Sequence, residues 1–288
     1  MEKAQDDRRY FGKYRGIVKD ARDPKKLGRL RCQVPEVFGP DLLTDWAWPV
    51  LPYGGFADNG HFFVPEVESG VFVEFESGNV DRPLWTGCWW SEPEGEAETP
   101  KLAREERDET TEPPKGTDLA VTADFQTIRE PESPYGARYP RNKVIKTKSG
   151  IVIELDDTDG KERLHFWHPT GTYEEIAPDG AVRRRVQAKR FLVVELDDDI
   201  HVKGTRNVVV DGNATLHVAG DYVVLVEGNK RETILGNLEQ TVLGDKTVTV
   251  MGNHSETAGQ AISEVSGQAN TRTAGGNIVD TAPAIHHN

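Results

Sequence analysis

Cysteine and methionine are scarce in this chain, with two of each in 288 residues. Cys32 and Cys88 sit in neither a C-x-x-C nor a zinc spacing, and two thiols do not make a disulfide framework. They are read as packed thiols of a reducing compartment. Long apolar runs are also missing, and none approaches the ~18 residues of a membrane span. The opening MEKAQDDRRY lacks the apolar core of a secretory signal, so synthesis in the cytoplasm is expected. Positive charge is in deficit too, with a formal net charge of −13. That disfavours a nucleic-acid role, because phosphate binding rests on Lys and Arg displacing counterions.

What is present is unevenly placed. Residues 91–133 hold 13 acidic and 5 basic side chains, a net −8, whereas the first 31 residues hold 11 basic against 5 acidic. A basic N-terminal patch suits an acidic protein partner. The length allows two or three folded units, and the abundance of Val, Ile and Thr in the C-terminal half leans toward β structure.

Residues 10–90 read as a small β barrel of about five strands. YFGKYRGIVKD and GRLRCQVPEVF are strand candidates, with Asp23-Pro24 as turn former between them. In Gly70–Glu76, Val71, Val73 and Phe75 alternate with Phe72, Glu74 and Glu76, a period of two. Trp46, Trp48, Trp85, Trp89 and Trp90 fall in this region and are read as core or subunit contacts. Residues 91–135 are charged, Pro-containing and poor in aliphatics, so they read as a linker with a short helix at 101–109. From 143 to 200 the pattern returns to hairpins, marked by Asp159-Gly160 and Asp179-Gly180. Asp156, Asp157 and Asp159 lack the spacing and terminal Glu of a calcium loop and are read as an acidic turn. His165 and His168 are read as surface or packing residues.

An eight-residue period follows. Glycine stands at Gly204, Gly212, Gly220, Gly228, Gly236, Gly244 and Gly252. Two places before these come Val202, Val210, Val218, Val226, Ile234, Val242 and Val250. Asn or Asp follows most of them. The phase then drops by one and resumes at Gly259, Gly267 and Gly275. Gly, Asn and Asp accept positive φ, so each unit is read as a short strand and a sharp corner with one constant inner face. That describes a β-solenoid. Eight residues supply one strand of a layer. Three strands can come from one chain or from three, and periodicity does not choose between these. Val208, Leu216, Val224, Glu232, Gln240, Val248 and Glu256 share the inner face by alternation, so the polar ones among them require water, ions or one another.

Three stretches carry a family resemblance: residues 64–90, residues 142–180 and the octads of 201–275. Together they resemble the spike proteins of contractile injection machines, which include the central spikes of contractile-tailed phages, the baseplate assembly V proteins and the spike part of type VI secretion VgrG proteins. The resemblance implies an all-β chain in which an N-terminal OB-fold barrel and an acidic linker precede a C-terminal trimeric intertwined β-helix. The domains are then an OB-fold at 1–90, a linker at 91–141, a hairpin lead-in at 142–200, an octapeptide needle at 201–275 and a tip at 276–288. It implies a homotrimer seated by its OB-fold on a baseplate hub protein and carried in a phage tail or related particle. The target cell envelope would be a transient partner, and the OB-fold an adaptor that binds no nucleic acid. Only about ten residues precede the barrel, so the hub is expected to be another polypeptide.

The terminal GGNIVDTAPAIHHN resembles spike ends that receive a PAAR-type cone protein, with Ile278, Ala282, Pro283 and Ile285 as the seat. A rival is a metal tip of iron or zinc. His286 and His287 are adjacent, so at most His286 or its neighbour faces the axis, and no cofactor is the preferred reading. Neither catalytic residues nor a lysozyme-sized insert are recognised. A cell-wall-degrading spike enzyme and a receptor-binding β-helical fibre are the alternatives to a mechanical, membrane-piercing spike.

Overall fold

The computed structural model describes residues 9–104, 118–123, 125–268 and 271. Its regular structure is β apart from a one-turn helix, Pro35–Phe38, and a few single 3-10 turns. It divides into two units at Ala214/Thr215.

The first unit opens with five strands: β1 (Tyr14–Asp20), β2 (Arg31–Gln33), β3 (Trp48–Pro49), β4 (Gly70–Phe75) and β5 (Pro83–Cys88). They pair in the order β2-β1-β4-β5-β3, antiparallel except for the short parallel contact of β3 with β5. The alternation expected for β4 holds: Val71, Val73 and Phe75 are buried. They meet Val18 of β1, Cys32 of β2 and Trp85 of β5 in one core. Burial pushes the Cys32 thiol up to about 12, so it behaves as a small apolar filler.

The loop between β1 and β2 is organised by Asp23. Its carboxylate accepts from the backbone N–H of Lys25, Leu27 and Arg29 and from the Arg29 guanidinium. The Asp23 carboxyl is held below the usual carboxylate range, with the Arg29 hydrogen bond the leading cause, opposed by burial and supported by the backbone donors. Arg29 in turn lies 5.6 Å from the ring centroid of Trp46 and 5.3 Å from that of Trp48. Those two tryptophans therefore act as cation–π walls rather than as core.

Two strands, β6 (Asp118–Val121) and β7 (Thr127–Arg129), form a hairpin. A second five-stranded sheet follows: β8 (Asn142–Lys146), β9 (Val152–Asp156), β10 (Arg163–Trp167), β11 (Tyr173–Ile176) and β12 (Val182–Arg185). It is a meander in chain order, antiparallel throughout. Three of its turns, TKSGI, HPTGT and APDGA, share one construction. In each, the first N–H donates to the fifth carbonyl and the glycine N–H to the first carbonyl, as in His168 to Thr172 at 2.9 Å and Gly171 to His168 at 2.8 Å. The glycine has φ of +89°, +86° and +79° at Gly150, Gly171 and Gly180. That is the left-handed residue that tight hairpin loops require. The expected helix at 101–109 is only a 3-10 turn over Lys101–Arg104, with 105–109 outside the described residues.

Gly70 is needed for another reason. Its φ is ordinary, but a Cβ there would lie 2.7 Å from the Trp89 ring and 2.9 Å from the Trp89 carbonyl. Trp89 is fixed by its indole N–H bond to the Val71 carbonyl at 3.2 Å and by Arg15 stacked at 5.0 Å. Gly70→Ala should therefore cost about 1–3 kcal/mol through overpacking. The measurement is the urea midpoint of the full chain followed by tryptophan fluorescence, and an unchanged midpoint would refute the packing account.

Candidate functional site: an eight-residue spine and its charged collar

After β12 the backbone is extended and bends at 187–188, 195–196, 203–204 and so on every eight residues to 267–268. The octad glycines from Gly204 to Gly267 all fall in these bends, while Gly275 lies outside the described residues. Two features differ from the sequence expectation. The bends do not slip: from 259–260 onward the glycine moves from second to first place in the bend, and the spacing of eight continues. The bends also start earlier than the glycines, at Gln187-Ala188 and Glu195-Leu196. The signal for these first two octads is aliphatic, since Val194 and Val186 stand eight and sixteen residues before Val202.

The described octad glycines, Gly204 to Gly267, also lack positive φ, contrary to expectation, and a Cβ on any of them would meet no described atom beyond its chain neighbours within 4 Å. The bend is made inside ordinary backbone space, so left-handed geometry is not what selects glycine here. Alternation holds in other octads but not around Val209, which at 38% exposed is less open than Val208 at 68% and Val210 at 53%. Val224 and Val226 are 58% and 47% exposed, against 86% and 84% for Val223 and Leu225. Val202, Val210, Val218, Ile234, Val242 and Val250 all fall in the less exposed class, between 41% and 53%. Even so, every described residue from 187 to 268 is exposed, and none of that stretch joins a strand ladder. Glu232, Gln240 and Glu256 are exposed with the rest.

At the head of the spine, the β8–β12 sheet carries a buried charged network. Glu154 on β9 stands opposite His165 on β10, and His165 opposite Glu175 on β11. Glu175 stands opposite Arg183 on β12. The Arg163 guanidinium bridges the two carboxylates, donating to Glu154 at 2.8 Å and Glu175 at 3.0 Å. His165 Nδ1 lies 2.9 Å from Glu154, and as a carboxylate only accepts, that nitrogen carries the proton. Asn142 donates to Glu154 at 2.8 Å, while Arg183 and Ser133 donate to Glu175 at 2.8 and 2.7 Å. Glu154, His165 and Glu175 are 0–1% exposed.

The segment read as a linker supplies the cover. Leu102 is buried against Val152 and Trp167, and Glu130 accepts from Tyr173 at 2.7 Å and Arg185 at 2.8 Å. His165, expected at the surface or in packing, is thus a fully buried member of an ion network, whereas His168 is exposed and capped by Thr170. The three aspartates of the acidic turn diverge: Asp156 is buried, Asp157 pairs with Lys143 and Asp159 with Arg141.

On the N-terminal barrel, the loop from Leu51 to Val64 is pinned by a bridge between Gly54 and Gly60. It exposes Tyr53, Phe56, Phe62 and Phe63 by 58–81%. Trp90, 65% exposed, lies beyond β5. The result is an exposed, nearly uncharged cluster of aromatics on a protein of net charge −13.

Residues 14–90 match the family model described as the type VI secretion system/phage-baseplate injector OB domain. The barrel is thus similar to the injector OB domain that this model describes. Protein Gp5 of Vibrio phage KVP40 is 43% identical over 81 residues, covering 28% of this chain and 19% of its own length. The pre-baseplate central spike protein Gp5 of Enterobacteria phage T4 is 37% identical over 83 residues, 29% of this chain and 14% of its own length. The chain therefore spans less than a fifth of either curated relative.

The proposed seat residues Ile278, Ala282, Pro283 and Ile285, and His286, lie outside the described residues. Among the described residues, no group of three or more His, Cys, Asp or Glu is arranged to hold a metal ion, and no helix is long and apolar enough to cross a membrane. The charged collar escaped sequence reading because its members alternate with aliphatics, and alternation alone does not say which face is covered. The available signal was the register: hairpins closing at 157–162 and 168–172 set opposite charges side by side.

Burial pushes the Glu154 carboxyl up, but the His165 hydrogen bond, the Arg163 charge and the Asn142 hydrogen bond outweigh it and leave it below its ordinary 4.5. Glu175 behaves alike: burial raises it, and Ser133, Arg163 and Arg183 bring it below 4.5. The native state then binds fewer protons than the unfolded chain in acid, so stability rises with pH there. The contribution is complete above about 4.5 and is lost as pH falls through the lowered native values. Glu175→Gln should cost about 3–5 kcal/mol near neutrality by leaving buried arginine charge uncompensated. It should also flatten the acid limb of the stability curve. Parallel acid limbs for the two proteins, in urea titrations from pH 3 to 7, would contradict the collar account.

Proposed function

We propose that this chain is a structural, membrane-piercing spike at the centre of a contractile injection baseplate, working as a homotrimer. The observation that carries the reading is an extended octad spine without ladder partners in its own chain, following an injector OB domain. Fixing backbone costs ~1–2 kcal/mol per residue, and an all-exposed spine of roughly eighty residues buries nothing to offset that. Its N–H and C=O groups need partners, and its half-shielded aliphatic row needs a core. Three identical chains wound together supply both and leave no lateral edge open. In that arrangement the missing Cβ of glycine serves close approach between copies, which agrees with its ordinary φ.

The spike role draws on the relative from Enterobacteria phage T4, which is named a pre-baseplate central spike protein. On this reading the injector OB domain meets the baseplate hub through the aromatic loop of 51–64. The far end receives a PAAR-type protein on Ile278, Ala282, Pro283 and Ile285, and the finished particle is a phage tail or related injection machine. Sheath contraction supplies the work, so neither a cofactor nor catalysis is required. The two buried carboxylates of the collar suit this assignment. Arg163 and Arg183 keep them ionised, whereas a glycosidase acid must hold its proton near neutrality.

The purified chain, 32.0 kDa by sequence, should have the native mass of three copies and form rods with a rounded head in negative stain. A monomeric mass at micromolar concentration, with compact particles, would overturn the proposal.

A further inference from the structure

Within the first unit, a cleft of about 870 Å³ lies between the N-terminal barrel and the edge of the second sheet. One wall is barrel, with Phe63, Val67 and Trp90. The other is β8 and the turn after it, with Ile145 and Lys148. None of the collar's buried charges lines it. The walls are apolar and open: Trp90 is 65% exposed, Phe63 58%, Ile145 49% and Val67 48%. They are also held in place. His61 stacks on Phe63 with ring centroids 4.4 Å apart. Trp89, which shares the barrel wall, is fixed by its bond to the Val71 carbonyl and by Arg15.

The rim is polar, and two of its three carboxylates are matched by lysines. Lys148 Nζ lies 2.8 Å from Glu66, joining the two walls. Glu68 pairs with Lys19 at 2.9 Å. Glu98 accepts from the Ser91 N–H at 2.7 Å. A carboxylate has about four acceptor sites and an ammonium three donors, so each keeps hydrogen-bonding capacity beyond these contacts. With its charges matched in this way, the rim singles out neither a cation nor an anion. It offers directional donors and acceptors around apolar planes.

A ligand that fits has apolar faces and polar edges. A pyranose ring has that form, with C–H groups on its faces and hydroxyls around its rim. A cleft of this size takes a drug-sized molecule, about two or three such rings. We propose that it is a binding site for a neutral oligosaccharide. The rings stack against Trp90 and Phe63, and the hydroxyls bond to Glu66, Glu98 and Lys148. The Lys148–Glu66 pair stays closed and serves as donor on one side and acceptor on the other. This inference goes beyond the spike reading and does not depend on it.

The test is saturation-transfer NMR on the full chain with three probes, maltotriose, cellotriose and tri-N-acetylchitotriose, each raised to about 10 mM. Saturable transfer to the ring protons of at least one probe is expected, with affinity reduced about fivefold or more in Trp90→Ala. Phe125→Ala removes an aromatic that is 88% exposed and does not line the cleft, and it should bind as the parent does. Both variants should keep the parent's urea midpoint, since both side chains are largely exposed. No transfer from any of the three probes would overturn the proposal, and so would an unchanged affinity in Trp90→Ala or an equal loss in both variants. Native mass, measured on the same samples, tests the spike reading separately.

Discussion

An extended backbone must pair its amides and carbonyls, and in this protein the longest extended stretch has no ladder partner among the described residues of its own chain. The octads repeat the same demand every eight residues: a strand segment with one half-shielded aliphatic row, a bend, and another segment in the same phase. Burial cannot meet it locally, because successive segments of one chain do not stack on one another. On the proposed homotrimer, the spine is a set of complementary edges whose order belongs to the assembly. The relation resembles a coiled-coil helix whose seam has meaning only with its partners present.

The second sheet obeys the same logic in a different form. Five antiparallel strands satisfy their own ladder, so backbone pairing does not force association. Its side chains are divided unusually, with ionic groups beneath a covering segment of the same chain and aliphatics left open. Burying two glutamates carries a large desolvation penalty, offset only because Arg163, Arg183, His165, Asn142 and Ser133 are all placed to bond them. Such a network contributes little net stability over an apolar core, but it is intolerant of rearrangement. A fixed register of strands β9 to β12 follows.

The barrel is held by more ordinary means. An alternating β4, a buried Trp85 and the Asp23–Arg29 loop enclose one apolar core. Its distinguishing features lie outside that core, in the pinned aromatic loop and in the tryptophans at the surface. The match to the injector OB domain model falls on this barrel, over residues 14–90.

Alternation in β4, glycine-marked hairpins and the octad period were readable from sequence because each depends on neighbours a few residues away. Strand parity, turn residues and the spacing of bends are local properties of a chain. The charged collar, the burial of His165 and the cover supplied by Leu102 and Glu130 were not readable, because they depend on which face of a sheet a distant segment chooses to cover. The glycine phase gave a misleading edge to the repeat for a related reason: bends at 187–188 and 259–260 are set by the continuing strand, and glycine only accompanies most of them. Sequence by itself determined the period and the strand elements, since these follow from local backbone and side-chain geometry. Only the tertiary structure decided which side of the sheet is inside, because both faces alternate equally well and the choice is made by long-range contacts that pair charge with charge.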